Sequence, residues 1–87
     1  MTDTARFEQA QKDVKTLDRK PGNDDLLFLY AHFKQGSAGD VSGKRPGMMD
    51  MVGRAKYDAW AKLKGMDKGA AMDKYVGKVA DLLKTHK

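Results

Sequence analysis

The chain has 87 residues, no cysteine and a formal charge of +5, from 17 Lys and Arg against 12 Asp and Glu. One domain is all this length supports, and such a domain buries only about two thirds of the surface its unfolded form exposes. Disulfide stapling and thiol chemistry are excluded, and no apolar run approaches the roughly 20 residues a membrane-crossing helix needs. The charge is uneven. Residues 1–43 hold six basic and seven acidic groups, whereas residues 44–87 hold eleven and five. Anions are therefore drawn to the second half. The opening residues lack the basic start and apolar block of a secretion signal, so a cytoplasmic location is expected.

Apolar residues recur at helical spacing, and no segment alternates as a strand would. Phe7, Ala10, Val14 and Leu17 form one stripe, with Asp3 or Thr4 as the N-cap and Lys20-Pro21-Gly22 as the stop. A second helix begins near Asn23, carries Asp24 and Asp25 in its first turn where carboxylates meet the positive end of the dipole, and runs to about Gln35. Its middle, "LLFLYAHFKQ" (residues 26–35), is apolar on more than one face, so something beyond one small core must touch it. Residues 36–47, with four glycines and a proline, read as a loop. It is longer than the two to eight residues usual between bundled helices, so the third helix need not run antiparallel to the second. That helix is expected over Met51–Lys64, with Val52, Ala55, Ala59 and Leu63 as its stripe and Tyr57 and Trp60 beside it, ending at Gly65. Asp67 is the expected N-cap of a fourth helix, whose stripe is Met72, Tyr75, Val76, Val79, Leu82 and Leu83.

Little of this is suited to catalysis. His32 and His86 are far apart, no metal-binding spacing occurs, and neither a nucleophile elbow nor a P-loop is present, so neither an enzyme nor a metal protein is expected. His86 reads as a frayed tail residue. Tyr30 and Lys34 lie four apart on one helical face with Phe33 beside them, projecting a ring and an ammonium group together. As packing, they are core aromatics with a lysine reaching for water. As a site, they suit a flat ligand carrying phosphate. Lys56, one residue before Tyr57 and four before Trp60, is a further cation of interest. Tyr75 sits in an aliphatic stripe and is core by default, with a hydroxyl that needs a partner if buried.

The pieces "FLYAHFKQ" (28–35), "GDV" (39–41), "KRPGM" (44–48), "AKYDAW" (55–60), "LKG" (63–65) and "AMDKYV" (71–76) occur in order at unbroken spacing. Together they resemble the acyl-coenzyme A (acyl-CoA) binding protein family, from Phe7 to the C-terminus. The resemblance implies an all-α, four-helix bundle in up-down-down-up order, with an overhand connection between helices two and three, and residues 1–87 as a single acyl-CoA-binding domain. It implies one-to-one binding of long-chain fatty acyl-CoA by a monomeric intracellular carrier that needs no cofactor and delivers to acyl-CoA-using enzymes. By that resemblance Lys15, Tyr30, Phe33, Lys34, Lys56 and Tyr75 hold the nucleotide end, whereas Gln11, Leu26 and Leu27 line the acyl-chain groove. Two departures stand out. Phe33 replaces the family's usual tyrosine, losing a hydroxyl, and Gln11 replaces a small residue near the acyl channel.

Two rival readings use the charge alone. A nucleic-acid binding module would explain the basic second half but would need basic residues lining one helix. A membrane-surface protein could use the amphipathic fourth helix with Lys68, Lys74, Lys78 and Lys84. Neither accounts for Tyr30, Phe33 and Lys34 together with the long loop, so no nucleic-acid partner and no stable membrane insertion are expected.

Overall fold

A computed structural model describes residues 3–86 and contains four α-helices: α1 (Asp3–Asp13), α2 (Asn23–Ser37), α3 (Met51–Ala61) and α4 (Lys68–Thr85). Both residues expected to cap α1 lie inside it, and its cap position falls outside the described residues. The first helix also stops earlier than its stripe suggests. A 3-10 turn, Val14–Thr16, follows, and Leu17 is extended. β-Branched Val14 and Thr16 favour the change, and the Thr16 hydroxyl donates to the Asp13 carbonyl (2.7 Å), competing with the helical ladder. The stripe nevertheless packs as expected, with Phe7 and Ala10 buried and Val14 and Leu17 resting on them.

The other helix ends follow local chemistry. Asp50 and Asp67 cap α3 and α4, their carboxylates accepting from the backbone N–H groups of Gly53 and Ala70. Past the end of α2, Gly39 takes a φ of 87°, and after the turn that ends α3, Gly65 takes 92°, a region where a side chain would clash.

Side-chain contacts give the direction of each helix. Phe7 meets Tyr75 (ring centroids 5.1 Å apart), and the N–H groups of Asp18 and Arg19 reach the His86 carbonyl (2.9 and 3.1 Å), so α1 and α4 run parallel. His86 is thus tied into the structure and not frayed. Asp25 pairs with Lys78 (2.6 Å), and Gly36 lies against Met72, so α2 and α4 are antiparallel. Met51 and Val52 lie by Leu26 and Leu27, Lys56 by Tyr30, and Lys34 by Trp60, so α2 and α3 are parallel. The order is up-down-down-up. Because α2 spans about 22 Å at 1.5 Å per residue, the chain between α2 and α3 must travel back along it before α3 can start.

The core is built where α1, α2 and α4 meet, from Phe7, Ala10, Leu29, Tyr75, Val79 and Leu82. By contrast α3 packs on α2 alone. Its buried residue is Trp60, whereas Val52 and Ala55, from the apolar stripe, are exposed. The apolar face of α3 therefore does not turn into the bundle.

Candidate functional site

The parallel pairing of α2 and α3 creates a seam with a constant register, in which residues 26, 30 and 34 of α2 face 52, 56 and 60 of α3. At one end is an open groove of about 520 Å³ lined by Lys20, Asn23, Leu26, Leu27, Met51, Val52, Ala55 and Lys56. Further along, the Lys56 ammonium lies 5.3 Å from the centre of the Tyr30 ring, and the Lys34 ammonium 4.9 Å from that of Trp60. Neither lysine belongs to an ion pair found among the described residues, which are Arg45–Asp58 and Lys78–Asp25. The seam thus runs from an apolar trough to two cations held over aromatic rings. An ammonium over a ring gains about 0.5–1 kcal/mol at an exposed site, enough to orient a lysine without neutralising it.

Loop 38–50 holds α3 in place. The Trp60 indole N–H donates to the Gly39 carbonyl (2.8 Å), and the Tyr57 hydroxyl donates to that of Gly43 (3.0 Å). Arg45 makes two parallel bonds to Asp58 (2.9 and 2.7 Å), which hold the Asp58 carboxyl below its ordinary range and raise the Arg45 guanidinium. At the loop's start, Asp40 accepts from the Gly65 N–H (2.8 Å) and the Gln35 amide (2.9 Å), in that order the main causes of a lowered pKa. Gln35, fully buried, also donates to the Met66 carbonyl (2.8 Å). Both partners are acceptors, so the orientation of its amide is dictated. Its Oε1 is left buried without a hydrogen-bond partner.

The residues the sequence singled out are thus distributed over several places. Leu26, Leu27 and Lys56 share the groove, and Tyr30 and Lys34 lie on the same seam. Gln11 is not with Leu26 and Leu27: it opens on a second hollow of about 460 Å³, shared with Phe7, Phe33, Gly36, Lys68 and Met72. Position 33 lies one turn from 30 and two turns from 26 on α2, yet Phe33 lines this second hollow and packs on the core shared with α1 and α4. Phe33 also packs against Phe7 (5.9 Å between centroids) and lies 6.4 Å from Tyr75. Tyr75 is 5% exposed, and burial pushes its phenol pKa up. Its hydroxyl makes no hydrogen bond to the described residues, but the buried side-chain oxygen left without a partner among them is Gln35 Oε1 and not that hydroxyl. Lys15 is exposed on the turn after α1 and lines neither hollow.

Sequence reasoning missed Met51, Val52 and Ala55 as groove walls, because a helical stripe says which residues share a face but not what that face meets. His32 is buried and stacked on Phe28 (4.0 Å), its Nδ1 2.8 Å from the Phe28 carbonyl. That contact fixes the tautomer with the proton on Nδ1, and desolvation lowers the imidazole pKa. Among the described residues no group of three His, Cys, Asp or Glu is placed to hold a metal ion, and no helix is long and apolar enough to cross a membrane.

Residues 4–79 match the model of a family described as acyl CoA binding protein. The chain belongs to that family. It is 48% identical over 80 residues to acyl-CoA-binding protein homolog 1 of Caenorhabditis elegans, covering 92% of this chain and 93% of that protein. The crystal structure of Oryza sativa acyl-CoA-binding protein 2 superposes with a TM-score of 0.90 at 38% identity, covering 94% of this chain and 89% of that one. The acyl-CoA-binding protein of Moniliophthora perniciosa also gives 0.90, at 41% identity over all of this chain and 85% of its own. In this chain the seam between α2 and α3 joins an apolar end to a cationic one.

Proposed function

We propose that this chain binds long-chain fatty acyl-CoA one-to-one through the α2–α3 seam and serves as a carrier of that ligand in lipid metabolism. The observation that carries the reading is the continuity of the apolar trough with Lys56 over Tyr30 and Lys34 over Trp60. Acyl-CoA is a detergent-like anion with a phosphorylated nucleotide at one end and an alkyl tail at the other, and the seam has the complementary order. The trough also falls within the roughly 300–1,000 Å³ typical of small-molecule sites.

Tyr30, Lys34 and Lys56 would read the phosphates and the base, with Lys15, Phe33 and Tyr75 contributing as the family resemblance suggests. Leu26 and Leu27, with Met51 and Val52 opposite, would cover the tail. Gln11 and Phe33 would shape a neighbouring hollow. No bond is made or broken, so the selectivity is one of binding. Each covered methylene contributes up to about 0.8 kcal/mol, so eight additional carbons, half of them covered, would add about 3 kcal/mol. Free fatty acid offers no phosphate and would leave the two lysines unanswered. In this reading the whole chain acts as one domain, as a monomer in the cytoplasm, and hands its ligand transiently to acyl-transfer enzymes without binding nucleic acid.

Titration calorimetry with palmitoyl-CoA, CoA, palmitate and a short DNA duplex tests the reading. Tight one-to-one binding of the first, with weaker binding of its two halves and none of the duplex, is the expected result. Binding of the duplex alone would overturn it and make the basic second half a nucleic-acid surface.

A further inference from the structure

The large apolar side chains most exposed among the described residues gather at one place. Met48 is 82% exposed, Met49 99%, Met51 78% and Val52 67%. Three of the four are methionines, whereas Met66 and Met72 are half-buried, and Met72 packs where Gly36 closes on it. Met51 is the one of the exposed three that lines the groove, facing Leu26 and Leu27, and Met48 and Met49 lie in the turn just before it.

An unbranched thioether conforms well to an alkyl chain. The same exposure leaves its sulfur open to two-electron oxidants. In that reaction a sulfur lone pair attacks one peroxide oxygen, the O–O bond breaks, and one water leaves: R–S–CH₃ + H₂O₂ → R–S(=O)–CH₃ + H₂O. The product is a strong hydrogen-bond acceptor. On an empty groove it is hydrated at no cost. Beneath an alkyl tail it must give up that water while it faces the apolar walls Leu26 and Leu27.

We propose that Met51, with Met48 and Met49 beside it, is an oxidation site at which sulfoxide formation by a peroxide selectively weakens binding of long-chain ligands. The inference rests on the carrier reading. The nucleotide end, held elsewhere on the seam, is unaffected, so oxidation shortens the preferred chain and leaves the head group readable. Reduction of the sulfoxide restores the thioether, so the change is reversible.

The test treats the intact protein with dilute hydrogen peroxide, locates the added oxygens by peptide mass, and titrates palmitoyl-CoA and CoA before and after treatment. Oxygen is expected at Met48, Met49 and Met51 before Met66 and Met72. Palmitoyl-CoA affinity should fall about tenfold or more, equivalent to ~1.4 kcal/mol or more, with CoA affinity unchanged. Methionine sulfoxide reductase should reverse the loss. The Met48→Leu/Met49→Leu protein should still lose affinity on treatment, and the Met51→Leu protein should keep whatever affinity it starts with. Unchanged palmitoyl-CoA binding by protein oxidised at Met51 overturns the proposal alone, as does an equal loss in the Met51→Leu protein. Failure of the untreated protein to bind palmitoyl-CoA overturns the carrier reading and this inference with it.

Discussion

Gln35→Glu exchanges an amide for a carboxyl of the same shape at a fully buried position whose neighbours both accept hydrogen bonds. The amide nitrogen donates to Asp40 and to the Met66 carbonyl, so an ionised carboxylate would face a second carboxylate and a carbonyl oxygen. The introduced group escapes by taking up a proton, which lets it donate to one of the two. Holding a carboxyl of ordinary pKa near 4.3 protonated at pH 7 costs about 3.7 kcal/mol, from 1.36 kcal/mol per unit over some 2.7 units. The lost second bond adds about 1 kcal/mol. The folded-state pKa of the introduced carboxyl is raised, so the penalty is small below its unfolded value and grows as pH rises towards the folded one. Urea melts should give a loss of about 1.5 kcal/mol at pH 4.5 and about 4–5 kcal/mol at pH 7, a large share of the stability of a domain this size. Gln35→Leu, which also removes the orphaned Oε1, should show a smaller loss that does not vary between those pH values. An equal deficit for Gln35→Glu at pH 4.5 and pH 7 would refute the assignment of Gln35 as an obligatory donor.

Lys34→Met and Lys56→Met should each weaken palmitoyl-CoA and CoA by ~1–2 kcal/mol while leaving palmitate unchanged, as calorimetry would show; loss of palmitate binding as well would point to a misfolded groove. Trp60 fluorescence should change on addition of palmitoyl-CoA, because the Lys34 ammonium lies over its ring and would turn to the ligand; in Lys34→Met that change should shrink. Gly77→Ala should stabilise the protein by up to about 1 kcal/mol in urea melts, since Gly77 is exposed inside α4 and an added Cβ meets nothing within 4 Å. Asp40→Asn should flatten the acid limb of the stability–pH curve. The folded-state Asp40 pKa is depressed, so its contribution is present above the unfolded value and lost as pH falls through the folded one.

Features governed by nearby residues were legible in the sequence. Asp67 caps α4 because a short carboxylate ahead of a helix meets its first free N–H groups, and Tyr30 and Lys34 share a face because they are four apart. The family motifs carried the bundle order. Legibility failed where one helix meets another. Lys34 over Trp60 and Lys56 over Tyr30 depend on a parallel register that no single helix encodes. Val52 and Ala55 were read as one apolar stripe with Ala59 and Leu63, and such spacing suits a buried stripe. The spacing is the same for a stripe that waits for something else. Gln35, an amide in an otherwise apolar stretch, carried a visible signal as a buried polar residue, but its partners, Asp40 and Met66, lie beyond the end of its own helix. His86 read as a frayed tail residue because it stands near the end of the sequence, whereas its backbone carbonyl ties the end of α4 to the segment that follows α1.

The attachment of α3 to one helix also bears on how the molecule breathes. Its one buried residue is Trp60, while the cooperative centre of the fold lies among the other three helices. Local opening of α3 therefore sacrifices little of the core, and its amides should exchange with solvent at a free energy well below that of global unfolding. Loop 38–50 restrains that opening through Trp60, Tyr57 and Arg45. A tail lying between Leu26, Leu27, Met51 and Val52 would supply the missing neighbour and slow exchange along α3 by a free energy of up to RT ln(1 + c/Kd), rising with the concentration c of free ligand. Occupancy of the carrier would then be written in the protection of a single helix.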